Sequence, residues 1–361
     1  MKKYFIAIAV AALALSACSK VEINQTEGPG KKITFQTANY VPQTKADEVS
    51  FLNEFANASD AKFYSKAYMV GEGVTGTQDF FGEKETITWN ATAKEWAPSH
   101  DYYWPKSTKS YVNFFSWYDS STTAGPTVGN GTMSWTNRTI GTGDNIMYAD
   151  PAWHFQENTN LATYGKDGVK EGVPTLFHHA LAQVVFNAYA TKVESDVATW
   201  TIKLTDITIG KIYNQGTLSL TSTEPAATSF NVKGSWQANP AWTTTGTSAN
   251  LAPADYTVTA TSAPFLANQS VLPQTLTGVK LSFKLDITTT YKNGGQTNHE
   301  IIEKEIALTE FGPTAWALNT KYIYTLKIVP SENRVLFDPA VETAWTTVTT
   351  TEKDVDTIPA P

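Results

Sequence analysis

The sequence predicts an all-β protein, and three observations carry that prediction. Of 361 residues, 53 are threonine, beside 16 tyrosines, 17 phenylalanines and 11 tryptophans, and these types suit a half-buried pleated surface. Apolar and polar residues alternate with a period of two in many short windows, and no window sustains a helical period. Clusters of Gly, Pro, Asn and Asp separate the windows. With 41% hydrophobic and 17% charged residues the chain is globular. Its length exceeds what one small sandwich core needs and is comfortable for two domains.

Residues 1–17 start with Lys2 and Lys3, run apolar from Tyr4 to Leu15 and end in small residues. That is the pattern of an export signal, and about a dozen apolar residues are too few to cross a ~30 Å bilayer core. The sole cysteine closes Leu15-Ser16-Ala17-Cys18, which resembles the bacterial lipobox and implies lipidation at Cys18 after cleavage. An ordinary secretory signal with a stray cysteine is the alternative. A single cysteine allows no intramolecular disulfide, so the fold must stand on its core. Residues 19–31 are polar and read as a tether. Ile33, Phe35 and Thr37 then alternate with Thr34, Gln36 and Ala38, so Ile33 to Val41 reads as a strand with one buried face. Pro42 breaks it into a polar loop containing Thr44-Lys45-Ala46-Asp47. Residues 18–45 thus form a tether and first strand.

Strand-like windows follow at Ala67–Val70, Glu85–Trp89, Tyr111–Trp117, Asn145–Tyr148 and Ala182–Tyr189. Trp200, Ile202 and Leu204 alternate until a phase shift at Asp206 brings Ile207 and Ile209 into step, which predicts a bulge. Val279 to Ile287 forms one face of a strand, Asn293-Gly294 signals a hairpin, and Glu300 to Leu308 returns. Tyr322, Tyr324, Leu326 and Ile328 alternate until Pro330 stops the ladder. The least patterned zone, Thr191 to Ala198, places a boundary between domains 46–195 and 196–361. Near the C-terminus Val335, Phe337, Val341, Thr343 and Trp345 share one parity, interrupted at Pro339, before a Thr-rich tail.

The formal net charge is −7, and 25 of the 27 basic residues are lysine, with arginine only at Arg138 and Arg334. No basic stripe exists for nucleic acid. His178 and His179 are adjacent, so on a strand they point to opposite faces and cannot jointly hold a metal. Glu83/Glu85 and Glu303/Glu305 share a face in each pair, but a glycosidase couple needs ~5–9 Å across a cleft, and both pairs read as solvated charges. No nucleophile elbow, zinc helix, phosphate loop or EF-hand spacing occurs, so no catalytic residue, metal or cofactor is expected. Ten aromatics from Trp89 to Tyr118 read as packing rings, with a glycan-stacking platform as the alternative use.

Together these motifs resemble the fimbrillins of type V pili. The resemblance rests on the lipobox, Ile33-Thr34-Phe35, the Thr44–Asp47 loop, Tyr103-Trp104-Pro105 and Val112-Asn113-Phe114-Phe115-Ser116-Trp117-Tyr118. It continues through Ile146-Met147-Tyr148-Ala149, Leu176-Phe177-His178-His179-Ala180-Leu181-Ala182 and Lys321-Tyr322-Ile323-Tyr324 to the Val335–Trp345 segment. It implies two transthyretin-like β-sandwich domains in tandem, on an outer-membrane lipoprotein that matures into a cell-surface fimbrium. A trypsin-like protease would remove the lipidated segment with its first strand (Ile33, Phe35, Thr37, Val41), and subunits would polymerise by strand exchange. The family's cut usually follows arginine, whereas here the basic residue is Lys45, before Ala46, which leaves a lysine-cutting protease or no cut open. The candidate donor strand carries Val335, Phe337, Val341 and Trp345. Implied partners are other fimbrillin subunits, the membrane through the lipid, the protease, and an unspecified host or bacterial surface ligand. A monomeric surface lipoprotein that binds glycans is the alternative function.

Overall fold

The computed structural model describes residues 30–39, 52, 55, 58–71, 76–93, 95–121, 125–157, 172–310, 312–332, 334–343, 346–348 and 353–354. The class is all-β, as expected. Seven strands of the largest sheet close on themselves in the order Ser110–Asp119, Ile146–Ala149, Val173–His179, Phe35–Asn39, Glu95–Pro98, Glu85–Asn90 and Lys62–Gly71, which returns to Ser110–Asp119. All neighbours run antiparallel except Phe35–Asn39 beside Val173–His179. Closure removes the edges of the ring. Each strand sends apolar side chains into one shared core, among them Phe35, Phe63, Ile87, Trp96, Phe114, Met147 and Phe177.

Ser110–Asp119 is buried along almost its whole length, Asn113 and Ser116 included, and this explains why its sequence shows no apolar–polar alternation. Val112 and Phe114 face the ring core, while Phe115 and Trp117 face a second core against the four-stranded sheet that carries Met133, Trp135, Leu218 and Trp242. A strand covered on both faces has no polar side to alternate.

The longer strands that remain among the described residues form two facing sheets over a third core. One orders Ala263–Val271, Ala182–Ala190, Thr320–Val329, Arg334–Thr343 and Thr346–Val348; the other orders Ala249–Leu251, Ala198–Ile212, Lys280–Tyr291 and Thr297–Ala307. The register of Ala198–Ile212 shifts between Thr205 and Thr208, with Asp206 at φ 51°, so the predicted bulge is present. The hairpin from Lys280 to Ala307 turns through Gly294 and Gly295, both at positive φ. Thr320–Val329 stops before Pro330.

Two groups of strands cross the division expected near residue 195. Ala182–Ala190 lies before it but pairs with Thr320–Val329, while Gln215–Thr221 and Val232–Lys233 lie after it but pair with Thr132–Thr139 and Ala152–Phe155. Strand partners are chosen by face and not by sequence distance, and a composition minimum does not register that choice.

Candidate functional site: the seat of the first strand

The first strand sits between two neighbours. Phe35–Asn39 matches Val173–Phe177 residue by residue in parallel, and Phe35 also faces Trp96. The Val173 N–H donates to the Thr34 carbonyl at 2.8 Å, the Thr175 hydroxyl to the Gln36 carbonyl at 2.6 Å, and the Ile33 N–H to the Tyr102 carbonyl at 2.9 Å. Ile33 and Phe35 are each 2% exposed and Thr37 is buried with them, but Gln36 on the opposite parity is buried too, so burial is not confined to the predicted face. The Phe35 ring meets Phe63 and Phe114 edge-on, both at 5.6 Å between centroids. Behind its backbone lies Gly172, where a Cβ would come within 2.7 Å of the Phe35 carbonyl carbon. The chain is glycine here because backbone occupies the space that a side chain needs.

The segment that receives the strand is itself clasped by a carboxylate. Glu85 is 4% exposed, which corrects the solvated-face reading of the Glu83/Glu85 pair: Glu83 is exposed outside the strand, while Glu85 opens the strand facing inward. Its carboxylate accepts from the Ser99 hydroxyl at 2.5 Å, the His100 N–H at 3.2 Å and the Tyr102 hydroxyl at 3.2 Å. Those donors hold Ser99–Tyr102, the stretch to which Ile33 bonds. Ser99 and His100 do not form a nucleophile with its base. Both turn to Glu85, and the His100 nitrogen nearest Ser99 is the one that faces the carboxylate.

Burial pushes the Glu85 carboxyl up, but the Ser99 and His100 hydrogen bonds outweigh it and leave the group below its ordinary value. Burial and the Glu85 charge raise the Tyr102 phenol to about 12. A carboxyl lowered by folding contributes stability that is complete above its unfolded pKa of ~4.3 and is lost as pH falls through the folded value. Glu85→Gln should therefore cost about 1 kcal/mol at neutral pH and flatten the acid limb of a urea-midpoint profile. An unchanged acid limb would remove the clasp.

Cys18, Val41, Lys45, Ala46 and Trp345 lie outside the described residues. Val335, Phe337 and Val341 lie on Arg334–Thr343, which pairs along its length with Thr320–Val329, and Val335 is fully buried in the third core. The candidate donor segment thus occupies its own sheet in this state. His178 binds Asp150 at 2.8 Å and the buried His179 faces Asn145 at 3.0 Å, on opposite faces as expected. Among the described residues no three His, Cys, Asp or Glu side chains gather as a metal site would need. Trp96, Trp104, Phe114, Phe115 and Trp117 are buried, which denies them to a sugar.

One network had no signal in the sequence. His154 has φ 58° and no exposure, with Nδ1 at 2.5 Å from the Ser229 carbonyl and Nε2 at 3.1 Å from Glu224. Asn113 and Asn130 also donate to that carboxylate. The network straps the 224–233 stretch over the Ala152–Phe155 edge, and its members are too far apart in the chain to form a motif.

A family model described as fimbrillin-like matches residues 55–345. No curated protein matches the chain in sequence. Among solved structures, a fimbrial protein from Bacteroides vulgatus aligns with 88% of this chain and 100% of its own at 17% identity and a TM-score of 0.54, which is a likeness of fold. A protein provisionally described as a cell adhesion protein, from Bacteroides uniformis, covers 87% of this chain and 98% of its own at 17% identity, TM-score 0.42. The fimbrial anchor protein Mfa2 of Porphyromonas gingivalis covers 89% and 100% at 9% identity, TM-score 0.26. The last two are too loose to support an argument. Because the family model matches residues 55–345, well over half of the chain, this chain belongs to the fimbrillin-like family.

Proposed function

We propose that this chain is a structural subunit of a cell-surface type V fimbrium, built as two transthyretin-like sandwiches. It is exported as an outer-membrane lipoprotein acylated at Cys18, trimmed after Lys45 and polymerised by strand exchange. Family membership supports the coarse part, a fimbrial and adhesion-related subunit. The finer part rests on one observation: Ile33 and Phe35, buried in the ring, sit between a polar tether and a loop with a basic residue. In a monomer these three features share no purpose. A cut after Lys45 empties a groove lined by Phe63, Trp96, Phe114 and Phe177, and backbone groups on Val173–His179 lose their partners. Another strand must fill it. Alternate side chains in pockets, with ladder hydrogen bonds, are the terms of strand addition. Val335, Phe337, Val341 and Trp345 supply a suitable parity once they leave their own sheet.

Two measurements test this reading. Cys18→Ala should move the precursor from the detergent phase to the aqueous phase; persistence in detergent removes the lipid. Limited trypsin treatment followed by gel filtration should convert the Cys18→Ala chain to polymers. Val341→Asp with Trp345→Asp should block that conversion while circular dichroism stays that of a β protein. A trimmed chain that remains monomeric at high concentration, or a double variant that polymerises equally well, overturns strand exchange.

A further inference from the structure

The first strand enters its seat through Gly30-Lys31-Lys32-Ile33, a basic pair directly before the buried residues. Both lysines are exposed, and the Lys32 side chain, 57% exposed, meets Asp101 only at the surface. The peptide bonds that follow them are engaged. Lys32 forms an antiparallel bridge with Tyr103. On either side of it the Trp104 N–H donates to the Lys31 carbonyl at 3.1 Å and the Ile33 N–H to the Tyr102 carbonyl at 2.9 Å. The Lys31 N–H donates to Glu157 at 3.3 Å.

We propose that Lys31-Lys32 is a second, conditional processing site for a lysine-cutting protease, masked while the first strand is seated and cut once the strand leaves. Such a protease takes the lysine carbonyl oxygen into an oxyanion hole and must also reach the residue that follows. After Lys31 the carbonyl is held by Trp104. After Lys32 the next residue is Ile33, which is 2% exposed and whose N–H is held by Tyr102. Recognition is therefore open and hydrolysis is closed. Cleavage of a folded chain needs a local opening first, and here that opening is the departure of the strand itself. Water then adds to the lysine carbonyl carbon, the C–N bond breaks, and the lysine keeps a carboxylate while the next residue leaves as an amine.

The consequence rests on the function proposed above. A cut after Lys45 alone leaves a strand that can seat again. A second cut after Lys32 severs that strand from the acylated tether and removes the Trp104–Lys31 and Lys32–Asp101 bonds from its seat. The displaced strand then diffuses away, and exchange runs one way.

The test uses the chain carrying Cys18→Ala and Lys45→Ala, so that neither lipid nor the first cut contributes, and follows trypsin fragments by mass spectrometry. A synthetic peptide of Thr26–Val41 sets the rate for the unseated segment. Cleavage after Lys31 and Lys32 in the folded chain should be at least about tenfold slower than in the peptide. Phe35→Ala should speed it about tenfold or more, and Gly172→Ala, which lifts the strand without removing its apolar face, should do so more mildly. Lys66 on Lys62–Gly71 and Lys203 on Ala198–Ile212 should stay uncut over the same interval, which separates strand departure from unfolding. In a chain that keeps Lys45, the fragment Ile33–Lys45 should appear after the fragment that begins at Ala46. A peptide left uncut at both lysines, a folded chain cut as fast as the peptide, or variants that change nothing overturn the proposal. So do variants in which Lys66 is cut in step, or a reversed order of fragments. None of these readings needs a polymer, so strand exchange and masking can fail separately.

Discussion

Phe35→Ala is expected to lower the stability of the untrimmed chain by about 3–5 kcal/mol, the range for removing a fully buried phenylalanine. The ring is 2% exposed and lies edge-on to Phe63 and Phe114 at 81° and 86°, so the variant loses two aromatic contacts as well as area. The cavity would open where the strand has one facing residue pair with Glu95–Pro98 and the parallel ladder on its other side. Neither neighbour can close it without breaking register. A domain is stable by ~5–15 kcal/mol in total, so this one substitution approaches the loss caused by removing the strand. Urea denaturation at constant pH measures it. Lys32→Ala is the control, because it breaks only an exposed ion pair with Asp101 and should barely move the midpoint. A Phe35→Ala loss below about 1 kcal/mol would mean that the strand is not held by its apolar face.

Although Gln36 on the opposite parity is buried as well, the parity of Ile33, Phe35 and Thr37 was legible because their face is core. The same holds for Leu281 to Ile287 and for Tyr322 to Ile328, which alternate between buried and half-buried along two strands. Even the bulge at Asp206 appeared as a break in phase. What sequence reading misses is decided by partners far along the chain. Glu83 and Glu85 look alike two residues apart, and the Ser99–Tyr102 stretch that buries only one of them is not local. The strand Ser110–Asp119 hides its two faces in a run without alternation until both cores are known. Ala182–Ala190 reads as part of the first half by position, yet the parallel ladder with Thr320–Val329 assigns it to the third core.

Gly172→Val is expected to cost the untrimmed chain about 3 kcal/mol, at the upper end of ordinary overpacking, with Gly172→Ala somewhat milder. Its Cβ would sit 2.7 Å from the Phe35 carbonyl carbon and 3.0 Å from the Phe35 nitrogen and Cα. Those are backbone atoms, and they cannot rotate away as a side chain would. To relieve the clash the strand must lift from Val173–His179, which stretches the Val173–Thr34 hydrogen bond and draws Phe35 out of its socket. The penalty therefore belongs to the strand and not to Gly172 in isolation. Urea denaturation of untrimmed and trypsin-trimmed chains separates the two. In the trimmed monomer, freed of residues 1–45, alanine or valine at position 172 should be nearly silent. A donor strand that fills the same groove would meet the same Cβ, so the variant should also slow polymerisation of trimmed chain. A penalty that persists undiminished after trimming would show that Gly172 serves some other contact and is not the seat of the first strand.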